Sequence, residues 1–196
     1  MNTITEILNW ISNSLLLPVI VLLLAAMAAA LVSLGGFSSS CLVLLRQRKE
    51  RERLLEAIRS GQEIEPGKLG TGIFARHLAE LASLNWDELE CEKRITEYEM
   101  KYEHELERSR FMMKVAPMLG LMGTLIPMGP ALGGLASGDI GSMAYNMQIA
   151  FATTVVGCFA AGVGLLIYSV RRHWYAEEIS NLRYVLERQL KMRGEA

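Results

Sequence analysis

Charge along this chain comes in blocks, and the gaps between the blocks are of membrane length. Leu15–Leu45 holds no charged residue, and between Lys114 and Arg171 the only one is Asp139. Asp139 divides that second stretch into two spans, and a helix of roughly 20 apolar residues suffices to cross the hydrocarbon core. Of the 20 basic and 21 acidic residues, all but Glu6, Lys114 and Asp139 fall in Arg46–Arg110 and Arg171–Glu195. A charge at the bilayer centre costs about 2.5–3.5 kcal/mol on insertion scales, so the bilayer imposes this kind of segregation. The pattern predicts an all-α integral membrane protein with three transmembrane helices and long helices extending into the cytoplasm.

Residues 1–14 place Ile4, Ile7, Leu8, Ile11 and Leu15 at helical spacing beside Trp10, as in an external amphipathic helix lying in the interface. Transmembrane helix 1 is expected over 15–45, with Pro18 in its first turn, where a missing N–H is harmless. Gly35-Gly36 and Ser38–Ser40 mark a kink, a close packing point or the exit from the bilayer. A cytoplasmic helical domain follows over 46–110. In it Arg46–Arg59 reads as a charged helix, Ser60–Gly72 as a loop and Ile73–Leu84 as a second helix. Asn85 is the expected cap of a third helix starting at Trp86. On that third helix Cys91, Ile95, Tyr98, Tyr102 and Leu106 make one apolar stripe. No breaker precedes Pro117, so it should run on into transmembrane helix 2, over 111–135. A Gly-rich external hairpin (136–142) leads to transmembrane helix 3 (143–170). The tail, 171–196, continues as a cytoplasmic helix with Tyr175, Ile179, Leu182, Leu186 and Leu190 on one face.

Composition narrows the function. The chain is 51% hydrophobic, and no basic run is interleaved with aromatics, so nucleic acid is not a partner. The three cysteines are far apart, which suggests neither a disulfide framework nor a metal site. No nucleophile–base pair, phosphate loop or metal cluster appears, so neither an enzyme nor a cofactor is expected. The N-terminus lacks a basic n-region and a cleavage site, and its long apolar run reads as a retained helix. Lys and Arg flank one end of each span (Arg46 to Arg53, Arg108 to Lys114, and Arg171 with Arg172), whereas 1–14 and 136–142 contain none. The positive-inside rule then puts the N-terminus outside and the large loop and C-terminus in the cytoplasm of a multi-pass cell-membrane protein. His77, His104 and His173 are expected to be solvated. Asp139 caps the following helix or draws cations to a pore mouth.

The two later spans carry the candidate chemistry. On the first, Pro117, Gly120, Thr124, Pro127 and Ala131 share a face; on the second, Met147, Ala150, Thr154, Gly157, Cys158 and Ala161 do. Small residues at this spacing serve close helix packing, and threonines in membrane helices bond back to a carbonyl one turn earlier. Against that structural reading stand Pro117, Pro127 and Pro130, which strip hydrogen bonds from the backbone. Irregular backbone is tolerated at depth only against protein or a wet cavity. Hydroxyls without charges there suit a pore lining whose working charge comes from elsewhere.

Pro117-Met118-Leu119-Gly120-Leu121-Met122-Gly123-Thr124 resembles the P-x-LGL-x-GT motif on the second helix of ExbB/TolQ/MotA proton-channel subunits. Ala150-Phe151-Ala152-Thr153-Thr154-Val155-Val156-Gly157, with Ala160-Ala161 after it, resembles the AL-x-TT-x-x-G…AA motif on their third helix. The order of spans and loops is similar too. The resemblance implies a homopentamer around single-span partner helices of the ExbD/TolR/MotB type, with helix 1 facing lipid. The ion carrier in such assemblies is an aspartate on the partner. Carried over by motif, Thr124 and Thr154 are the pore-facing hydroxyls near that aspartate and Pro117 lies at the cytoplasmic end. Gly120, Thr153, Gln148, Ala150 and Gly157 complete the expected ion pathway. Gln148 and Ile149 stand where the closer relatives often carry a glutamate, and the Pro127–Pro130 segment is a further departure. The expected function is a channel or stator subunit of a proton-driven (or sodium-driven) motor that energises an extracytoplasmic process such as protein transport. The alternative is a membrane scaffold that recruits partners without conducting ions.

Overall fold

The computed structural model describes residues 2–60 and 72–194. Four helices make it up: α1 (Asn2–Arg59), α2 (Ile73–Ser83), α3 (Glu88–Ser137) and α4 (Ile140–Gly194), with no strand among the described residues. α1, α3 and α4 each contain a stretch long and apolar enough to cross a membrane. The chain divides into two compact units, Met1–Gly35 with Arg108–Tyr168, and Gly36–Glu107 with Ser169–Ala196. The first is the apolar unit and the second the polar unit.

Several boundaries differ from the expected ones. No break separates 1–14 from 15–45, because nothing before Pro18 stops a helix; α1 runs straight through. Pro18 therefore sits in a helix interior, where its missing N–H leaves Ser14 O without an intrahelical donor. The helix also passes Gly35-Gly36 unbroken, and a Cβ at either would meet nothing within 4 Å. α3 begins at Glu88 and not at Trp86: Asn85 and Trp86 both take left-handed backbone, with φ of 54° and 55°. The cap is Asp87, whose Oδ1 accepts from Glu90 N–H at 3.0 Å. The expected loop over 60–72 lies outside the described residues except for its two ends.

The polar unit is a four-helix bundle built on the two stripes legible in the sequence. Cys91 and Ile95 of α3 are fully buried and meet Ile179, Leu182, Val185 and Leu186 of α4, with Leu78 and Leu81 of α2 and Ile58 of α1 closing the core. Each such apolar side chain contributes about 1.5–3 kcal/mol by leaving water. The left-handed pair after α2 reverses the chain and drops Trp86 into this core. Its burial offsets the roughly 1–2 kcal/mol cost of each left-handed residue.

In the apolar unit α3 and α4 form a hairpin joined only by Gly138 and Asp139. Gly138, at φ +78°, supplies the left-handed residue that ends α3, and Asp139 N–H reaches back to Gly134 O at 2.8 Å. α1 packs on the hairpin through Val19 and Leu23, which meet Ile126 in a small core. The other faces of α1 leave Leu17, Val21, Leu24 and Val32 more than half exposed, as lipid contact requires.

Candidate functional site

Small residues decide how closely α3 and α4 approach. A Cβ at Gly157 would come within 2.8 Å of Ala116 O and 2.9 Å of Gly120 Cα, so the two backbones are in direct contact there. Gly120 in turn lies against Thr153 O and Thr154 Cα, and a Cβ at Gly123 would stand 2.6 Å from Thr153 Cβ. Further along, Gly164 meets Met113 N and Ser109 O. The seam thus runs antiparallel through Ser109, Ala116, Gly120 and Gly123 of α3 and Gly164, Gly157 and Thr153 of α4. Dispersion between backbones replaces the hydrophobic effect as the force that holds helices together in lipid.

Of the residues expected on an ion pathway, Gly120, Thr153 and Gly157 are buried in this seam, where they pack helix on helix, and Ala150 is also buried. Thr153 bonds back to Ile149 O at 3.1 Å and to Ala150 O at 2.9 Å. Thr154, half-buried at the edge of the seam, donates to Ala150 O at 3.1 Å; Thr124, also half-buried, donates to Leu121 O at 2.7 Å. Both hydroxyls spend their proton on their own helix and keep lone pairs free to accept. Pro117 and Gln148 are exposed.

α3 stays helical through all three prolines. Pro127 is fully buried against protein, as an irregular backbone at depth requires, while Pro117 and Pro130 lie on the exposed side of the chain. Asp139, the one charged residue between Lys114 and Arg171, is engaged locally: its Oδ1 accepts from Ser142 N–H at 3.0 Å and caps α4. No Asp, Glu, His, Lys or Arg therefore lies within either span between Lys114 and Arg171 to carry an ion.

The polar unit holds a cluster that the expectation of solvated histidines missed. His77 is only 7% exposed and its Nδ1 lies 3.2 Å from Glu178 Oε1. Its ring stacks on Tyr98 at 4.1 Å, and Tyr102 stacks on Tyr175 at 4.1 Å. Arg51 joins the cluster from α1, donating to Glu177 at 2.6 Å and standing 4.0 Å from Glu178. Burial pushes the phenol pKa of Tyr98, Tyr102 and Tyr175 up, each reinforced by a nearby carboxylate: Glu80 bonds Tyr98, Glu178 faces Tyr102 and Glu105 bonds Tyr175. The signal was present in the register, since Tyr98 and Tyr102, then Tyr175 and Glu178, recur at three-to-four spacing. His104 is exposed beside Glu107, and His173 is exposed, as expected.

Comparison with curated proteins and with solved structures finds no match for the chain. Its residues 67–183, more than half of the sequence, match the profile of the MotA/TolQ/ExbB proton channel family. That segment contains α2, all of α3 and the seam-forming part of α4, with both threonine motifs. The chain therefore belongs to the MotA/TolQ/ExbB proton channel family.

Proposed function

We propose that this chain is the membrane-embedded channel subunit of a proton-driven motor and works with a single-span partner whose intramembrane aspartate carries the proton. The observation that carries this reading is the capped state of Asp139. With Asp139 in the turn and its Oδ1 accepting from Ser142 N–H, the spans offer hydroxyl oxygens but no carboxylate, histidine or basic side chain. A proton crossing hydrocarbon is best carried by a carboxyl that gains and loses it near neutral pH, and these spans have none, so the carrier comes from another chain.

The hydroxyls suit that task. With their own protons donated to Leu121 O and Ala150 O, Thr124 and Thr154 present lone pairs, which accept from a protonated carboxyl. A neutral carboxyl can move along an apolar seam that a carboxylate would leave only at high cost. Several copies of the hairpin around the partner, a homopentamer by family analogy, would offer the same hydroxyl pair repeatedly. Each protonation and release would then advance the partner by one position. In the proposed orientation the N-terminus is outside and the polar unit is cytoplasmic, so the partner does its work on the outer side. Gln148 can orient a proton donor by hydrogen bonding but cannot relay a proton by titrating.

The test is partner-dependent ion flux in reconstituted vesicles carrying Thr124→Val or Thr154→Val. Valine keeps the shape and removes only the oxygen. Loss of one hydrogen bond to the carrier at its bottleneck is expected to slow flux about tenfold. Unchanged flux in both variants would remove these residues from the pathway.

A further inference from the structure

A cavity of ≈ 540 Å³ opens within the polar unit, with all four helices contributing to its wall. Small-molecule sites span roughly 300–1,000 Å³, so the space is large enough for an organic ligand. Its inventory of donors and acceptors is unbalanced. The three carboxylates on the wall are all engaged: Glu177 by Arg51 at 2.6 Å, Glu178 by His77 at 3.2 Å, and Glu105 by the Tyr175 hydroxyl at 2.6 Å. Donors remain in surplus. Arg76, Lys101 and Arg171 line the same wall, and none has a carboxylate within ion-pair distance among the described residues.

Two further donors add to the imbalance. Arg51 Nε is buried without an acceptor. The first residues of α2 also face the cavity, and that helix start has neither a side-chain cap nor an acidic residue in its first turn. Its leading N–H groups thus lack intrahelical partners. Stacked Tyr102 and Tyr175, together with Trp174, add aromatic surface to the same wall.

A wall whose carboxylates are each engaged and whose cationic donors are spare selects a ligand that brings negative charge and several acceptor oxygens. A single carboxylate offers two oxygens and one charge. A phosphate ester offers more of both, and it suits the guanidinium and ammonium groups that three helices contribute to this wall. We infer that this cavity binds a phosphate ester, its phosphate held by Arg76, Lys101 and Arg171 and its organic part lying on the tyrosine–tryptophan surface. The ester is either a soluble metabolite or a phospholipid headgroup, which share this chemistry.

The full chain in nanodiscs separates the two sources. In one arm glycerol 3-phosphate is titrated calorimetrically into protein held in phosphatidylcholine nanodiscs. In the other, retention of phosphatidylglycerol from mixed nanodiscs is read by native mass spectrometry. Saturable binding in the first arm identifies a soluble ester, and selective retention in the second a headgroup; either supports the site. Arg76→Gln combined with Lys101→Gln should weaken the positive arm at least about tenfold, since each lost charged hydrogen bond is a sizeable fraction of that effect. The matched control, Arg94→Gln with Arg183→Gln, removes the same charge from exposed ion pairs off the cavity wall and should leave binding within about twofold. Arg171→Gln alone provides a second reading of the same wall. No saturable binding in either arm, or equal weakening by the control, would overturn the inference.

Discussion

Replacing Gly157 by alanine tests how tightly α3 and α4 are held. The added Cβ would lie 2.8 Å from Ala116 O, 2.9 Å from Gly120 Cα and 3.2 Å from Gly120 N. All three are backbone atoms, so no side-chain rotation relieves the contact. Carbon atoms at rest sit about 3.5–4.0 Å apart, which means the helices must separate locally by roughly half an ångström or more. Forcing a methyl into a packed interface costs about 1–3 kcal/mol, against a gain of about 0.5–1 kcal/mol from replacing glycine by alanine within a helix. The net expectation is a loss of about 1–2 kcal/mol. Gly162 lies five residues further along α4, and a Cβ there meets nothing within 4 Å of it in the chain. Gly162→Ala should therefore keep the helical gain and stabilise by about 0.5–1 kcal/mol. Reversible unfolding of both variants in one detergent, followed by loss of helical circular dichroism, gives the comparison directly. Gly157→Ala as stable as the unmodified chain, or the two variants shifting in the same direction, would refute the close seam.

Other consequences follow from the polar unit and the hairpin turn. Glu178→Ala leaves His77 without its carboxylate partner in a buried setting and should cost about 1–3 kcal/mol, whereas Glu97→Ala, in an exposed pair with Arg94, should cost under about 0.5 kcal/mol in the same melt. The phenols of Tyr98, Tyr102 and Tyr175 have pKa values raised above their ordinary value, so they hold their protons more tightly folded than unfolded. Their contribution to stability is complete below the unfolded phenol pKa of about 10 and is lost as pH rises through the higher folded values. In an alkaline ultraviolet titration these three of the six tyrosines should stay silent in the ordinary phenol range and ionise only together with unfolding. Asp139→Asn keeps an N-cap acceptor while removing the charge, so helix stability and ion flux should both persist; abolished flux would return Asp139 to the pathway.

The membrane spans and both bundle stripes were legible because the bilayer and a helical core each impose a simple periodic rule. Cys91, Ile95, Leu182 and Leu186 lie where their spacing puts them. Helix ends were less legible. The expected cap at Asn85 failed because two successive residues turned left-handed, and that depended on a tertiary pocket for Trp86. The break expected after residue 14 failed because amphipathic pattern alone does not stop a helix. In the hairpin, sequence singled out the small residues but could not separate two uses of them. Gly120, Thr153 and Gly157 meet within the chain, whereas Thr124 and Thr154 stay at the edge. His77 was misjudged because its partner, Glu178, is a hundred residues away on another helix and only the fold brings them together.

The central claim is that this chain provides the path and another chain provides the carrier. Proton uptake into liposomes under an imposed gradient tests it most directly, with the chain alone, with the proposed single-span partner, and with that partner's proposed intramembrane aspartate changed to asparagine. The account predicts background uptake for the chain alone, rapid uptake with the intact partner, and a return to background with the asparagine variant. Rapid uptake by the chain alone, or full uptake with the asparagine partner, would contradict it.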